Sequence, residues 1–236
     1  MPNFVPEASF IDPSSMSVLA WNGIMLRPNV RSPEIDEEHQ RMGKLEKLDW
    51  TYTMRRDMQE VIPGLFLGPY SAASRSKLQT LKDHGITHIV CVRHALEINF
   101  IRPNFPSDFK YLVLEIANTF VENIMQHFKA STSFIDDALA SDGRVLVHGS
   151  SGTSRSATLV LAYIMETYNV SLGSAYTALQ ERRFCINPNR AFLKQLEEYE
   201  PIYKAEKALQ NEPNSKNRSN KRTIQQIEND NVTKSD

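Results

Sequence analysis

An apolar run, Val145-Leu-Val-His148, passes directly into Gly149-Ser-Ser-Gly-Thr-Ser-Arg-Ser156, and a second apolar run follows from Ala157 to Met165. A strand that enters a helix through so many small residues leaves the first backbone N–H groups of that helix without intrahelical partners. With little side-chain bulk around them, those groups can converge on an anion, and the helix dipole adds favourable potential there. Gly152 permits a backbone turn that bulkier residues resist. Arg155 supplies a planar fork of donors suited to two phosphate oxygens. Ser150, Ser151, Gly152, Thr153, Ser154 and Arg155 are therefore the candidate phosphate-binding residues. The same pattern also fits a tight strand-to-helix turn in which Arg155 pairs with an acidic side chain.

The segment sits inside one block, residues 50–207, that reads as strands alternating with helices. Glu60–Gly68 is a β-type apolar run punctuated by Pro63 and Gly64. Ser71 is placed to cap a helix that carries Leu78 and Leu81 and ends at Gly85. Ile86–Val92 and Tyr111–Ile116 have the composition of buried strands, and Arg144–His148 that of a shorter one. Val121–Leu139 shows helical spacing, with Ile124, Phe128, Phe134, Ile135 and Leu139 near one face. Tyr199, Ile202 and Tyr203 are expected to pack a C-terminal helix onto the domain, with Glu197–Glu200 as a solvated run. Strands separated by helices predict an α/β fold with a mostly parallel central sheet.

Composition narrows the function classes. The 27 Lys and Arg residues nearly balance 28 Asp and Glu, a net charge of -1, so no global field favours nucleic acid or an anionic membrane. Any anion site must be local. The longest apolar stretch falls well short of the roughly 20 residues that span a bilayer, and the first residues lack a secretory pattern. Cys91 and Cys185 are far apart and read as reduced thiols of a cytoplasmic or nuclear protein. His84 and His88 are interrupted by Gly85, and no other ligand pattern occurs, so neither metal nor cofactor is expected. Residues 1–49 are rich in Pro and polar residues and are expected to form a mostly disordered arm, with Trp21 docking on the domain or on a partner. Residues 208–236 are expected to be a disordered polar tail with a basic cluster at Lys216–Arg222.

His148-Gly149-Ser-Ser-Gly152-Thr-Ser-Arg155-Ser156 resembles the signature His-Cys-x-x-Gly-x-x-Arg-Ser/Thr of the cysteine-dependent dual-specificity phosphatases, departing from it only at the cysteine. Val61–Gly68 resembles the opening strand of that family, and Tyr111–Leu114 the strand that leads to its general-acid loop. Glu181-Arg-Arg-Phe-Cys-Ile-Asn-Pro-Asn189, followed by Phe192, Gln195 and Leu196, resembles the segment after the signature helix. The likeness is greatest to pseudophosphatase members, which also carry glycine at the nucleophile position. It implies the cysteine-phosphatase fold, with the phosphate-binding loop between a strand and a helix.

The resemblance also implies roles. Thiolate attack has no atom to begin from, because Gly149 holds the nucleophile position, and unassisted hydroxyls such as Ser150 and Ser151 are poor nucleophiles. Asn118 falls at the general-acid position, where an amide cannot supply the proton transfer typically worth about 10²–10⁴ in rate. Glu115 and Glu122 flank it, and Glu122 reads as an exposed carboxylate. His148, Ser156 and Asn189 are implied to support the loop, and Cys185 to be a packing thiol off the pocket. Ala191 stands where the family usually has glycine. The implied function is that of an inactive pseudophosphatase binding proteins phosphorylated on Ser, Thr or Tyr, a competitor or scaffold in kinase and phosphatase signalling. MAP kinases and an F-box ubiquitin-ligase component are the implied partners. A scaffold whose pocket is a relic and a weakly active phosphatase are the alternatives.

Overall fold

The apolar runs become five strands in the computed structural model, which describes residues 48–211 and the side chains of residues 48–209. They are β1 (Gln59–Ile62), β2 (Leu65–Pro69), β3 (His88–Arg93), β4 (Lys110–Glu115) and β5 (Val145–Gly149). Their order in the sheet is β1-β2-β5-β3-β4, with β1 antiparallel to β2 and every other pairing parallel. Five helices follow the same numbering: α1 (Leu78–Asp83), α2 (Phe128–Ala140), α3 (Arg155–Tyr168), α4 (Leu172–Arg182) and α5 (Arg190–Asn211).

Strand alternation sorts the apolar residues onto two faces. Leu65, Leu67, Val90, Val92, Val145 and Val147 meet the helical layer of α2 to α5, while Phe66, Ile89 and Leu146 face Leu81 of α1 with Ile86 and Phe109. The helix after β5 lies deepest. Every residue of α3 from Arg155 to Glu166 is buried, as expected of a helix apolar on nearly all sides. Asn169 ends it in the left-handed conformation at φ 54. Tyr203 and Tyr199 lock α5 against α3: the Tyr203 hydroxyl donates to the Val170 carbonyl at 2.7 Å, and the Tyr199 hydroxyl to the buried Glu166 carboxylate at 2.7 Å.

Several local expectations change. The run Glu60–Gly68 is a hairpin, not one strand, because Pro63 and Gly64 form its turn and Gly64 takes φ 80. Ser71 caps no long helix: its hydroxyl donates to the Arg56 carbonyl at 3.0 Å, the chain passes through two 3₁₀ turns, and α1 is only six residues long. Helix α2 begins at Phe128 rather than Val121. The loop before it is held differently, by Glu122 accepting from the Ala117 N–H at 3.1 Å and Gln195 accepting from the Met125 N–H at 3.0 Å. Ile202 is 44% exposed and does not join the tyrosines in packing α5. Glu200 is more than a solvated charge, since it accepts from the Leu172 N–H at the start of α4. Cys185 is half-buried rather than buried, while Cys91 is fully buried; both are free thiols. Helix α5 continues to Asn211, past the expected end of the domain at 207. The expectations for residues 1–47 and 212–236, Trp21 and Lys216–Arg222 included, lie outside the described residues.

Candidate functional site

Parallel strands present their carboxyl ends to the same edge of the sheet, and crevices outside those ends are where α/β folds hold ligands. Three segments meet at that edge: the loop between β5 and α3, the turn after β3 that contains Glu97, and the loop after β4 that contains Asn118. The first and third line a small cavity of about 50 Å³, with Asn118 and every residue from Gly149 to Ser156 in its wall. A single water needs roughly 10–15 Å³ of such space. The cavity therefore has room for a tetrahedral oxyanion and little else.

The orientation of the loop follows from where its carbonyls are tied. The Ser150 carbonyl accepts from the Tyr70 N–H at 3.2 Å, and the Thr153 carbonyl from the Asn187 N–H at 2.7 Å. The Ser154 carbonyl accepts from the Thr158 N–H at 2.8 Å and its hydroxyl at 3.0 Å. Between them, Arg183 donates from Nη2 to the Ser151 carbonyl at 3.1 Å and from Nε to the Gly152 carbonyl at 2.9 Å. In a trans peptide the N–H points opposite the carbonyl of the preceding residue. With the carbonyls of 150 to 154 fixed to the scaffold, the N–H groups of 151 to 155 are turned the other way, toward the cavity. Gly152 is indispensable to this shape: it sits at φ 68, and a Cβ there would stand 2.3 Å from the Gly68 carbonyl oxygen.

Arg183 was legible in the sequence only as part of a motif, without a role. Its side chain is completely buried and uses all five donors: besides the two loop carbonyls it bonds the carbonyls of Asp57 and Arg55 and the Gln59 side-chain oxygen. No carboxylate takes part. A cation behind the loop, bonded to its carbonyls, polarises those peptide groups so that their N–H ends become better donors to an anion in front.

Arg155 departs from the expectation of an open fork. Glu97 grips it in a bidentate pair, with Nη1 to Oε2 at 2.7 Å and Nη2 to Oε1 at 3.0 Å, and Nη1 also donates to the Ile116 carbonyl at 3.0 Å. Glu97 is itself held by the His94 N–H at 2.6 Å. The Arg155 guanidinium holds the Glu97 carboxyl below its ordinary range. Of the five guanidinium N–H groups, three are thereby engaged, leaving Nε–H and one Nη2–H. The arginine is pinned by the loop after β3, which sequence reading did not connect to it.

Asn118 lies at the rim as a connector. Its side-chain oxygen accepts from the Ser154 hydroxyl at 2.8 Å and from the Asn189 amide at 3.2 Å, and Asn189 also donates to the Thr119 carbonyl at 3.3 Å. The Asn189 N–H in turn reaches the Ser154 hydroxyl at 3.2 Å, and its side-chain oxygen accepts from the Phe192 N–H at 2.9 Å, at the start of α5. Ala191 therefore does not disturb the helix start. Glu122 does not line the cavity; its carboxylate braces its own loop, and Glu115 pairs with Arg93 at 3.3 Å. Ser151 and Thr153 bond each other through their hydroxyls at 2.7 Å.

Two polar groups stand behind Gly149. The Ser156 hydroxyl is buried without a hydrogen-bond partner and lies 3.3 Å from the point where a Cβ on Gly149 would be. The His148 ring is fully buried, neither nitrogen has a hydrogen-bond partner of normal geometry, and Tyr70 packs against it with ring centroids 5.8 Å apart. Burial pushes the imidazole down to about 4, an effect that the Gly149 backbone offsets only in part. Cys91, on the neighbouring strand, is pushed up to about 11, chiefly by burial. His84 and His88 join no metal cluster; among the described residues no group of His, Cys, Asp or Glu is placed to hold an ion.

Comparison with known proteins places this geometry among relatives. Residues 65–202 match the family described as "Dual specificity phosphatase, catalytic domain". The chain is 59% identical over 162 residues to serine/threonine/tyrosine-interacting protein B of Xenopus laevis, covering 69% of this chain and 73% of that one. It is 57% identical over 162 residues to the human serine/threonine/tyrosine-interacting protein, with the same coverage. The solved structure of the human tyrosine phosphatase-like serine/threonine/tyrosine-interacting protein superimposes with a TM-score of 0.62 at 58% identity, covering 63% of this chain and 98% of that one.

Two outcomes follow from the site. Arg183→Met strips the loop carbonyls of their donors and is expected to lower stability by about 3 kcal/mol or more, read from urea denaturation; Arg183→Lys, with three donors, recovers only part. His148 has a folded pKa of about 4, below its ordinary value of 6.5. The unfolded chain binds the extra proton first, so this residue's contribution is complete above pH 6.5 and is lost as pH falls toward 4. His88 and His127 are lowered too and act in the same direction, again through burial first. His148→Gln should remove roughly 2–3 kcal/mol of the stability change across that window, measured by denaturation at stepped pH.

Proposed function

The chain belongs to the dual-specificity phosphatase family, and on that premise we propose that it binds phosphorylated side chains of partner proteins in the 149–156 cradle and does not hydrolyse them. The observation that carries the reading is the state of position 149. The anion-holding parts surround it complete, with N–H groups turned inward, a pinned arginine and the start of a buried helix, while the position itself offers no attacking atom.

No other group takes over the attack. Ser150 and Ser151 are exposed hydroxyls, and Ser151 is engaged with Thr153. Activation needs an adjacent base. His148 is neutral and sealed within the core, so it abstracts no proton from either serine. The thiol of Cys91 is buried with its thiolate disfavoured. Asn118 occupies the place from which an acid would protonate a leaving group, an amide has no acidic proton to give, and its side-chain oxygen accepts from Ser154 and Asn189. The same changes favour retention of the ligand. A thiolate beside a phosphate dianion repels it, by about 4 kcal/mol for unit charges about 4 Å apart at an effective dielectric of about 20, and glycine removes that repulsion. The bound protein is thereby shielded or held in place. Phosphoproteins of the MAP-kinase type and an F-box ligase component, in cytoplasm or nucleus, are the partners the family resemblance suggests.

A second reading has one observation in its favour. Glu97 takes three of the site's charge-assisted contacts, two with Arg155 and one with the His94 N–H, and brings a carboxylate close to the cavity. In that reading the loop is a structural turn and the protein a scaffold that binds elsewhere. Calorimetric titration of phosphopeptides separates the two. Wild type is expected to bind them and Arg155→Met to lose binding at least tenfold, with circular dichroism confirming the fold; partner capture that ignores Arg155→Met supports the scaffold instead.

The missing chemistry is open to restoration. A Cβ at Gly149 meets the Ser156 hydroxyl at 3.3 Å as its nearest neighbour, followed by the Val92 carbonyl at 3.6 Å and the Ser156 Cβ at 3.7 Å, so a cysteine fits with a small adjustment. Gly149→Cys is expected to gain aryl-phosphatase activity above the wild-type background. Adding Asn118→Asp, whose carboxylate keeps the acceptor used by Ser154 and Asn189, should raise turnover about 10-fold or more for alkyl phosphates, where protonation of the leaving group matters most. A double variant no faster than the single would show that position 118 does not face the leaving group.

A further inference from the structure

Ser156 was expected to support the loop, yet its hydroxyl bonds no part of it. The residue is 1% exposed, it lines the small cavity, and its oxygen has no hydrogen-bond partner among the described residues. Ser156 is the second residue of α3, at the positive end of the helix dipole and beside the loop N–H groups that turn inward. The loop carbonyls are drawn away to the scaffold: those of Ser150, Ser151, Gly152, Thr153 and Ser154 accept from Tyr70, Arg183, Asn187 and Thr158. The loop therefore presents donors to this hydroxyl and no acceptor for its proton. Position 149 supplies none either. A Cβ there would stand 3.3 Å from the hydroxyl oxygen and 3.7 Å from the Ser156 Cβ, so a side chain at 149 would lie against the hydroxyl. Glycine has no such side chain.

We propose that Ser156 is a direct ligand of the bound phosphate, its hydroxyl donating to the phosphoryl oxygen that points at Gly149. The inference rests on the cradle reading above and deepens it. Glycine at 149 does more than withhold an attacking atom: it leaves the neighbouring hydroxyl to the anion. A hydrogen bond to an ionised acceptor is roughly twice as strong as one between neutral groups, so a single buried donor weighs in the affinity. Truncating Ser156 has two consequences of opposite sign. In the free protein it removes a buried polar group that has no partner, a change that is neutral or stabilising. In the complex it removes a bond to the ligand. A side chain that merely held the loop in shape would lower the stability of the free protein together with its affinity.

The test is a double-mutant cycle on the full chain with one singly phosphorylated peptide, read by calorimetry, beside the melting temperature of each free protein. Ser156→Ala is expected to bind the peptide roughly tenfold weaker or more, while melting at the wild-type temperature or above it. Gly149→Ala sets a methyl group 3.3 Å from the hydroxyl oxygen, between it and the ligand. Adding Ser156→Ala to that variant should therefore cost no more than about twofold, a coupling that independent sites do not show. Wild-type affinity in Ser156→Ala, with Arg155→Met still deficient, overturns the role of Ser156 and leaves the cradle standing. So does a Ser156→Ala protein that melts lower and loses the same factor in both backgrounds, which is the behaviour of a structural support. If wild type binds the peptide no better than Arg155→Met, the cradle reading fails, and this inference fails with it.

Discussion

The guanidinium of Arg183 is the fixed point of this molecule. One buried cation gathers carbonyls from the 3₁₀ segment before β1, the Gln59 side chain on β1, and the loop between β5 and α3. An isolated buried charge costs far more than a domain can supply, so it survives only with every donor satisfied. Here neutral carbonyls do that work, which keeps the positive charge uncancelled directly behind the loop. The shape of the cradle and the proposed affinity for negative charge thus have one source. Arg155, in front, is pinned by Glu97 and loses some of its reach; Arg183, behind, acts through the peptide groups themselves.

Around position 149 the protein keeps polar groups that its own residues do not use. A buried hydroxyl without a partner costs stability, typically about 1–3 kcal/mol, and the Ser156 hydroxyl and His148 ring both lie in that condition beside Gly149. Such groups are expected where a fold is built to support chemistry rather than to maximise packing. The loop after β4 shows the opposite adjustment. Asn118 ties it to Ser154 and Asn189, and Glu122 closes it on Ala117, so the segment is braced by hydrogen bonds.

The sequence displayed the sheet and the cradle because both are written in local pattern. Short apolar runs at 86–92, 111–116 and 144–148 mark the strands, and small residues followed by Arg155 mark the loop. It misplaced what depends on contacts between distant segments. Val121–Ile124 has helical spacing, yet Glu122 and Gln195 capture the backbone there and α2 starts later. Ser71 looks like a cap, yet the Arg56 carbonyl claims its hydroxyl. Ile202 fits the apolar stripe by spacing, yet the half-turn on which it lies faces outward while Tyr199 and Tyr203 bury theirs.

Residue identity alone decided which atoms two positions lack, since a glycine at 149 has no nucleophilic atom and an amide at 118 no acidic one in any conformation. It also decided that an anion-binding turn was possible, because backbone donors at a helix start and a nearby guanidinium are properties of short segments. Only the folded chain decided that Arg155 reaches the cavity already pinned by Glu97 and that Arg183 is buried behind the loop. Those assignments join Arg183 to the Asp57 backbone carbonyl and Arg155 to the Glu97 carboxylate across long stretches of sequence. Electrostatic pairing at such separations is fixed by tertiary geometry, and no local pattern carries it.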